Sequence, residues 1–165
     1  MKKKLFSTLF IFSLTFSSLF IFNLETKAAF NPDTYYTGKS PYTAVYGGSG
    51  TCADSAVQKG YKQISNLGYV ELKYSTVCKT AWAKLTRYSA ATFNDSGFAG
   101  IYRSDGVWFN SYASGGLGSI DSGQKVTYTP MVYDLTAGYG YTAKAAGWIR
   151  TVSGGPYSFG ETGSY

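Results

Sequence analysis

The chain contains no histidine. This removes the Ser-His-Asp and Cys-His arrangements of nucleophilic catalysis and the commonest zinc ligand. With only two cysteines beside that gap, no zinc centre and no cofactor are expected. Calcium is not expected either: Asn94-Asp95-Ser96-Gly97 is too short for an EF-hand and reads as a turn. The basic residues are scattered rather than clustered, so the chain lacks the footprint of a nucleic-acid binder. Beyond Phe30 no apolar run reaches spanning length.

The one long apolar run lies at the start. Lys2-Lys3-Lys4 precede a greasy stretch from Leu5 to Phe22, and Thr26-Lys27-Ala28 then places small residues at Thr26 and Ala28. The pattern predicts a secretory signal peptide over 1–28, cut between Ala28 and Ala29. An uncleaved anchor is the alternative, but Ser7, Thr8, Ser13, Thr15, Ser17 and Ser18 dilute the run. No cysteine follows it to accept a lipid. The expected product is secreted, with no membrane attachment after cleavage. Losing Lys2, Lys3, Lys4, Lys27 and Glu25 would lower the net charge from +6 to +3. That charge favours weak adsorption to anionic polymers and no more.

All 16 Tyr and all three Trp fall beyond residue 28, where Gly and Ser are plentiful and Leu and Ile sparse. Tyr, Thr, Val and Gly favour strands and tight turns. The expectation is an all-β domain over 51–152, a small antiparallel barrel or sandwich. An extended N-terminal arm over 29–50 would precede it, packing only in part. A flexible tail over 153–165 would follow.

Tyr69 to Ser75 alternates, with Val70, Leu72 and Tyr74 on one face and Glu71 and Lys73 on the other, as a half-buried strand requires. Cys52 to Ile64 fits strand or helix. Cys78, Ala81, Trp82 and Leu85 have helical spacing, yet a strand there would form a hairpin with 69–75, and strand is preferred. Further strands are expected within 98–103, 107–112, 125–133 and 141–149. Asp105-Gly106 predicts a two-residue hairpin turn. Pro130 cannot donate to a ladder and demands an edge or a bulge.

Cys52 and Cys78 form an even pair in a chain expected to be exported, so a disulfide is the default reading, against a reactive thiol. Closing that loop is worth about 3.5 kcal/mol in the chain-entropy model.

Three ordered blocks carry a resemblance. They are Cys52-Ala53-Asp54-Ser55, then Val70-Glu71-Leu72-Lys73-Tyr74-Ser75 leading to Cys78 and Ala81-Trp82-Ala83, then Tyr128-Thr129-Pro130-Met131-Val132. The chain resembles an uncharacterised family of secreted bacterial proteins, common in Gram-positive bacteria and known as a domain of unknown function. The resemblance spans roughly 50–149. It implies secretion, a disulfide and a compact β domain, and it carries no activity. Members often have extra cysteines where this chain reads Tyr46-Gly47-Gly48-Ser49-Gly50 and Ala143-Lys144-Ala145-Ala146, so only Cys52–Cys78 is expected here.

Among carboxylates, only Asp54 and Glu71 fall in these blocks. They are the least poor candidates for a hydrolase pair. A turn-capping role for Asp54, and a cross-strand pairing of Glu71 with Lys73, Lys84 or Arg87, are the favoured readings. The aromatic residues lead further. Flat rings stack on sugars or peptides, and a Tyr tip adds a hydrogen bond. Tyr102, Trp108, Phe109 and Tyr112 lie on adjacent hairpin strands, although Trp108 and Phe109 cannot share a face. Trp82 and Trp148 are expected in the core. The candidate binding residues are Tyr102, Trp108 and Tyr112, and no catalytic residue is named. The expected function is a non-enzymatic binding module whose partner is cell-wall glycan or an extracellular protein. A carboxylate hydrolase, or a toxin or inhibitor presenting the loop Ser114–Gly118, are the alternatives.

Overall fold

The structure, a computed structural model, describes residues 29–134 and 140–165. The signal-peptide reading falls on 1–28, outside the described residues. Two antiparallel sheets face each other. The first runs β1(Ala56–Ile64), β2(Gly68–Ser75), β3(Thr80–Arg87), β6(Val126–Tyr128), with β7(Val132–Tyr133) pairing further along β3. The second runs β5(Trp108–Asn110), β4(Gly97–Arg103), β8(Ala143–Ile149), β9(Ser158–Glu161). The two sheets remain open, so the sandwich is the correct half of the expectation and the barrel is not.

Alternation builds the space between them. Val70 and Leu72 of β2 and Ala81, Ala83 and Leu85 of β3 meet Ala99 and Ile101 of β4 and Ala143, Ala145 and Ile149 of β8. Small residues let the sheets approach closely. A Cβ at Gly147 would lie 2.7 Å from a Leu85 methyl and 3.0 Å from the Val70 Cβ. Cys78–Leu85 resembled a helix because β3 is buried on both faces: Ala81 and Leu85 serve the core between the sheets, and Trp82 a second cluster outside. Cys52–Ile64 resolves into a 3₁₀ turn, Cys52–Ser55, followed by β1.

Pro130 breaks its strand in two, as its missing N–H requires. The chain turns there to the N-terminal segment: Gly38 N–H donates to the Met131 carbonyl (2.9 Å) and Met131 N–H to the Lys39 carbonyl (2.8 Å). The hairpin at Asp105 has a three-residue loop, Ser104–Gly106, and only Gly106 takes positive φ (+96°). A type I turn closed by a left-handed glycine fits Asp-Gly as well as a two-residue turn does.

Two segments differ from the sequence expectation. Residues 29–50 hold helix α1(Pro32–Tyr36), capped by Asn31, and pack on the outer face of the first sheet. Tyr36 is buried there with Trp82, Met131, Tyr133 and the Cys52–Cys78 disulfide. The disulfide joins Cα atoms 5.5 Å apart and fastens this cover to the start of β3. Within 153–165, Ser158–Glu161 is a paired strand rather than a fraying tail. Gly160 permits it, since a Cβ there would come 2.8 Å from Ile64.

Candidate functional site

The outer face of the second sheet carries rings and no cover among the described residues. Its geometry follows from strand period two. On β4, Ala99, Ile101 and Arg103 point inward, so Phe98, Gly100 and Tyr102 point out. On β8, Ala145, Gly147 and Ile149 point inward, so Trp148 points out, where it is half-buried instead of lying in the core. Pairing then sets the neighbours. Tyr102 faces Trp108 on one side and Lys144 on the other, and Phe98 faces Trp148, which faces Phe159.

Tyr102 and Trp108 have ring centres 6.0 Å apart, tilted by 42°. Phe98 stacks on Trp148 at 4.7 Å, and Trp148 meets Phe159 at 5.1 Å. Gly100 joins the two groups. A Cβ there would sit 3.0 Å from the Trp148 ring and 3.5 Å from the Trp108 indole nitrogen, so both indoles lie over a bare backbone. Trp108, Tyr112 and Phe159 remain about half exposed. Phe109, read as part of the stripe, turns inward onto the core, as strand alternation demands.

Tyr112 lies at the far end of the face, 5.7 Å from Phe98 and apart from the Tyr102–Trp108 pair. Its hydroxyl donates to Asp95, whose carboxylate also pairs with Arg150 (2.6 Å) and accepts from the Tyr157 hydroxyl (3.2 Å). Loss of solvent around the phenol, then the Asp95 carboxylate, hold the Tyr112 hydroxyl protonated well above its ordinary range. Tyr112 is therefore a fixed ring, its polar tip already engaged.

At the opposite end, beside Tyr102, lies a depression of about 100 Å³ lined by Tyr102, Arg103, Ser104, Thr142, Lys144 and Ser164. No carboxylate lines it. Its cations are paired: Arg103 with Asp33 (2.8 Å) and Asp105 (2.9 Å), and Lys144 with Glu161 (2.9 Å). Arg103 also donates to the Tyr133 carbonyl (2.8 Å). Burial opposes ionisation of Asp33, but hydrogen bonds from Arg103 and Thr37 outweigh it and hold the carboxyl below its usual range. Asp105, bonded to Arg103, is held low as well.

The remaining sequence candidates sit elsewhere. Asp54 accepts from the Thr51 N–H (2.7 Å), the capping role favoured for it. Glu71 is buried between β1 and β3, 3.8 Å from Lys73. Ser114–Gly118 does not protrude: Gly118 N–H donates to the Ser111 carbonyl (2.7 Å), and Leu117 N–H to Tyr128 (3.0 Å). No group of three or more potential metal ligands occurs among the described residues. Phe98, Phe159 and Lys144 escaped the sequence reading, and Trp148 was expected in the core. The alternation of Phe98, Gly100 and Tyr102 was their one local signal.

The architecture is a two-sheet β domain with one outer face fastened under a disulfide-held cover and the other bare and aromatic. Residues 34–143 match the family described as "Protein of unknown function (DUF2690)", and the chain belongs to that family. It is 43% identical over 106 residues to "Uncharacterized protein YjfA" of Bacillus subtilis (strain 168), a match covering 61% of this chain and 64% of that protein. The chain thus spans just under two thirds of that relative's length. No solved structure matches.

Proposed function

We propose that this protein is a secreted, non-enzymatic binding module that holds a cell-wall partner on the outer face of its second sheet. The observation that carries the reading is the ring surface built from Tyr102, Trp108, Trp148 and Phe159 on rigid strands. A contiguous exposed apolar surface on a small domain marks an interaction site. Indole and phenol rings dominate contact energetics where they are pre-positioned. The Cys52–Cys78 disulfide supports export, because such bonds persist in oxidising compartments.

Retention of the purified oxidised protein on Gram-positive sacculi tests the reading, with and without their anionic polymers, at low and high salt. Retention that survives high salt and falls at least tenfold in Trp108→Ala is expected. Retention lost with salt would mean that net charge alone is at work, and no retention would end the wall-binding reading. The mass of the protein recovered from culture medium checks export: it should correspond to a chain starting at Ala29.

A further inference from the structure

The depression beside Tyr102 differs from the rest of the aromatic face in being concave, charge-compensated and lined by hydroxyl-bearing residues beside the ring. From this, and resting on the wall-binding reading above, we infer that it is a subsite for a neutral, hydroxyl-rich pyranose, with the sugar ring over Tyr102 and Trp108 and one ring substituent in the depression.

Three observations carry the inference. The first is charge. Around the depression two cations, Arg103 and Lys144, stand against three carboxylates, Asp33, Asp105 and Glu161, all in ion pairs. An anionic ligand would have to break these pairs and meet a local excess of negative charge, so a phosphate or carboxylate group is disfavoured. Paired charges still offer hydrogen bonds to neutral hydroxyls.

The second is size. At about 100 Å³ and open on one side, the depression takes a hydroxymethyl or acetamido group without enclosing a whole sugar ring. The ring itself then lies outside, beside Tyr102 and Trp108, whose ring centres are 6.0 Å apart and whose planes are tilted by 42°.

The third is the lining. The Ser104 hydroxyl oxygen accepts from the Thr142 N–H (3.1 Å), which leaves its own proton for a ligand oxygen. Thr142 and Ser164, both hydroxyl-bearing, line the same space. The Lys144 ammonium, 5.5 Å from the Tyr102 ring centre and 2.9 Å from Glu161, is held at the rim. A flat ring beside clustered hydroxyls and a compensated ion pair matches the alternating apolar and hydroxyl faces of a pyranose. An apolar peptide side chain would leave those hydroxyls without partners.

The test is a titration of the secreted, oxidised protein followed by tryptophan fluorescence and by amide and indole chemical shifts. The probes are tetramers of β-1,4-linked N-acetylglucosamine, tetramers of β-1,4-linked glucose, and poly(glycerol phosphate). At least one neutral tetramer should bind. It should shift the Trp108 indole and the Ser104 and Thr142 amides, with affinity unchanged within twofold between low and high salt. Tyr102→Ala should weaken binding at least tenfold, while Tyr102→Phe, which keeps the ring, should lose no more than a few-fold. Ser104→Ala should cost a few-fold with an unchanged melting temperature. Binding of poly(glycerol phosphate) alone, abolished by salt, overturns the assignment. So does retention on sacculi with no shift from either neutral tetramer, which leaves wall binding standing. If that retention vanishes once wall proteins are stripped, the face takes a protein partner. Absence of both retention and sugar binding removes the two readings together.

Discussion

Trp82 and Trp108 both stand on the outer face of a sheet, yet one is 4% exposed and the other 45%. Trp82, on β3, lies under the N-terminal segment, with Tyr36, Met131 and the disulfide packed around it. Trp108, on β5, lies beside Tyr102 and over Gly100, with no cover among the described residues. The fully buried core between the sheets is built from small and aliphatic residues, with Tyr74 and Phe109 only partly buried against it, and it holds neither indole. Both indoles stand instead on outer faces, and the described residues cover just one of those faces. The covered face works as a second core. The bare face is organised no less carefully, but its rings contact solvent and are free to contact a partner.

The sharpest break of this comparison is the pair of alanine substitutions. Trp82→Ala should destabilise the protein by about 3–5 kcal/mol, since it empties a packed site. Trp108→Ala should leave stability nearly unchanged. Denaturant melts of both variants decide it, and equal losses would mean that the bare face is also structural.

Next in size is the disulfide. Cys78→Ala should cost about 3–4 kcal/mol, consistent with a sequence separation of 26 between the paired residues. The variant should also expose Trp82 to a soluble quencher while Trp108 emission stays as it was. If reduced and oxidised protein melted at one temperature, the disulfide would not be what fastens the cover.

The covered and bare faces were unequally legible in the sequence. Alternation in 69–75 and the Tyr102–Trp108 neighbourhood are local, and both are found. The cover was not visible, because Asn31-Pro32-Asp33 and Gly47-Gly48-Ser49-Gly50 have turn chemistry that says nothing of what the turns pack against. The Phe98–Trp148–Phe159 row was hidden for another reason. It depends on the order β4-β8-β9, a set of pairings between distant parts of the chain. Strand β9 itself reads as loop because Gly160, which the packing against Ile64 requires, is a loop residue by composition. The depression depends on the same non-local order, since Lys144 and Ser164 reach Tyr102 only through it.

A smaller effect should separate the faces by pH. Asp134 follows β7, close to the covered side, and is buried with no hydrogen-bond partner for its Oδ1 among the described residues. Burial pushes its carboxyl up to about 7, against the pull of Arg103. A raised folded-state value means that the native protein keeps a proton which the unfolded chain releases near pH 4. The stabilisation is therefore complete below about pH 4 and is lost as pH rises through about 7. Asp33 and Asp105, held low, act in the opposite sense and only at more acid pH. The melting temperature should fall by a few degrees between pH 5 and pH 8, and Asp134→Asn should flatten that slope. A slope unchanged in the variant would place its origin elsewhere.

The smallest effect is the most informative about the bare face. Gly100→Ala puts a methyl 3.0 Å from the Trp148 ring and 3.5 Å from the Trp108 indole, while the backbone there needs no positive φ. Both neighbours are side chains bordering solvent, so they can move, and the expected loss of stability is within about 1 kcal/mol. The ring arrangement should change more than the stability does. Trp108 and Trp148 would separate over the methyl, altering near-ultraviolet circular dichroism and the indole chemical shifts. If the bare face is a binding platform, retention on sacculi should fall severalfold in a variant that melts almost like the parent. A residue on a merely solvated surface would show neither change, because nothing there depends on where the rings lie. The same methyl placed at Gly147, which faces the space between the sheets, would meet Leu85, Ile64 and Val70 in a packed core and be felt chiefly as lost stability.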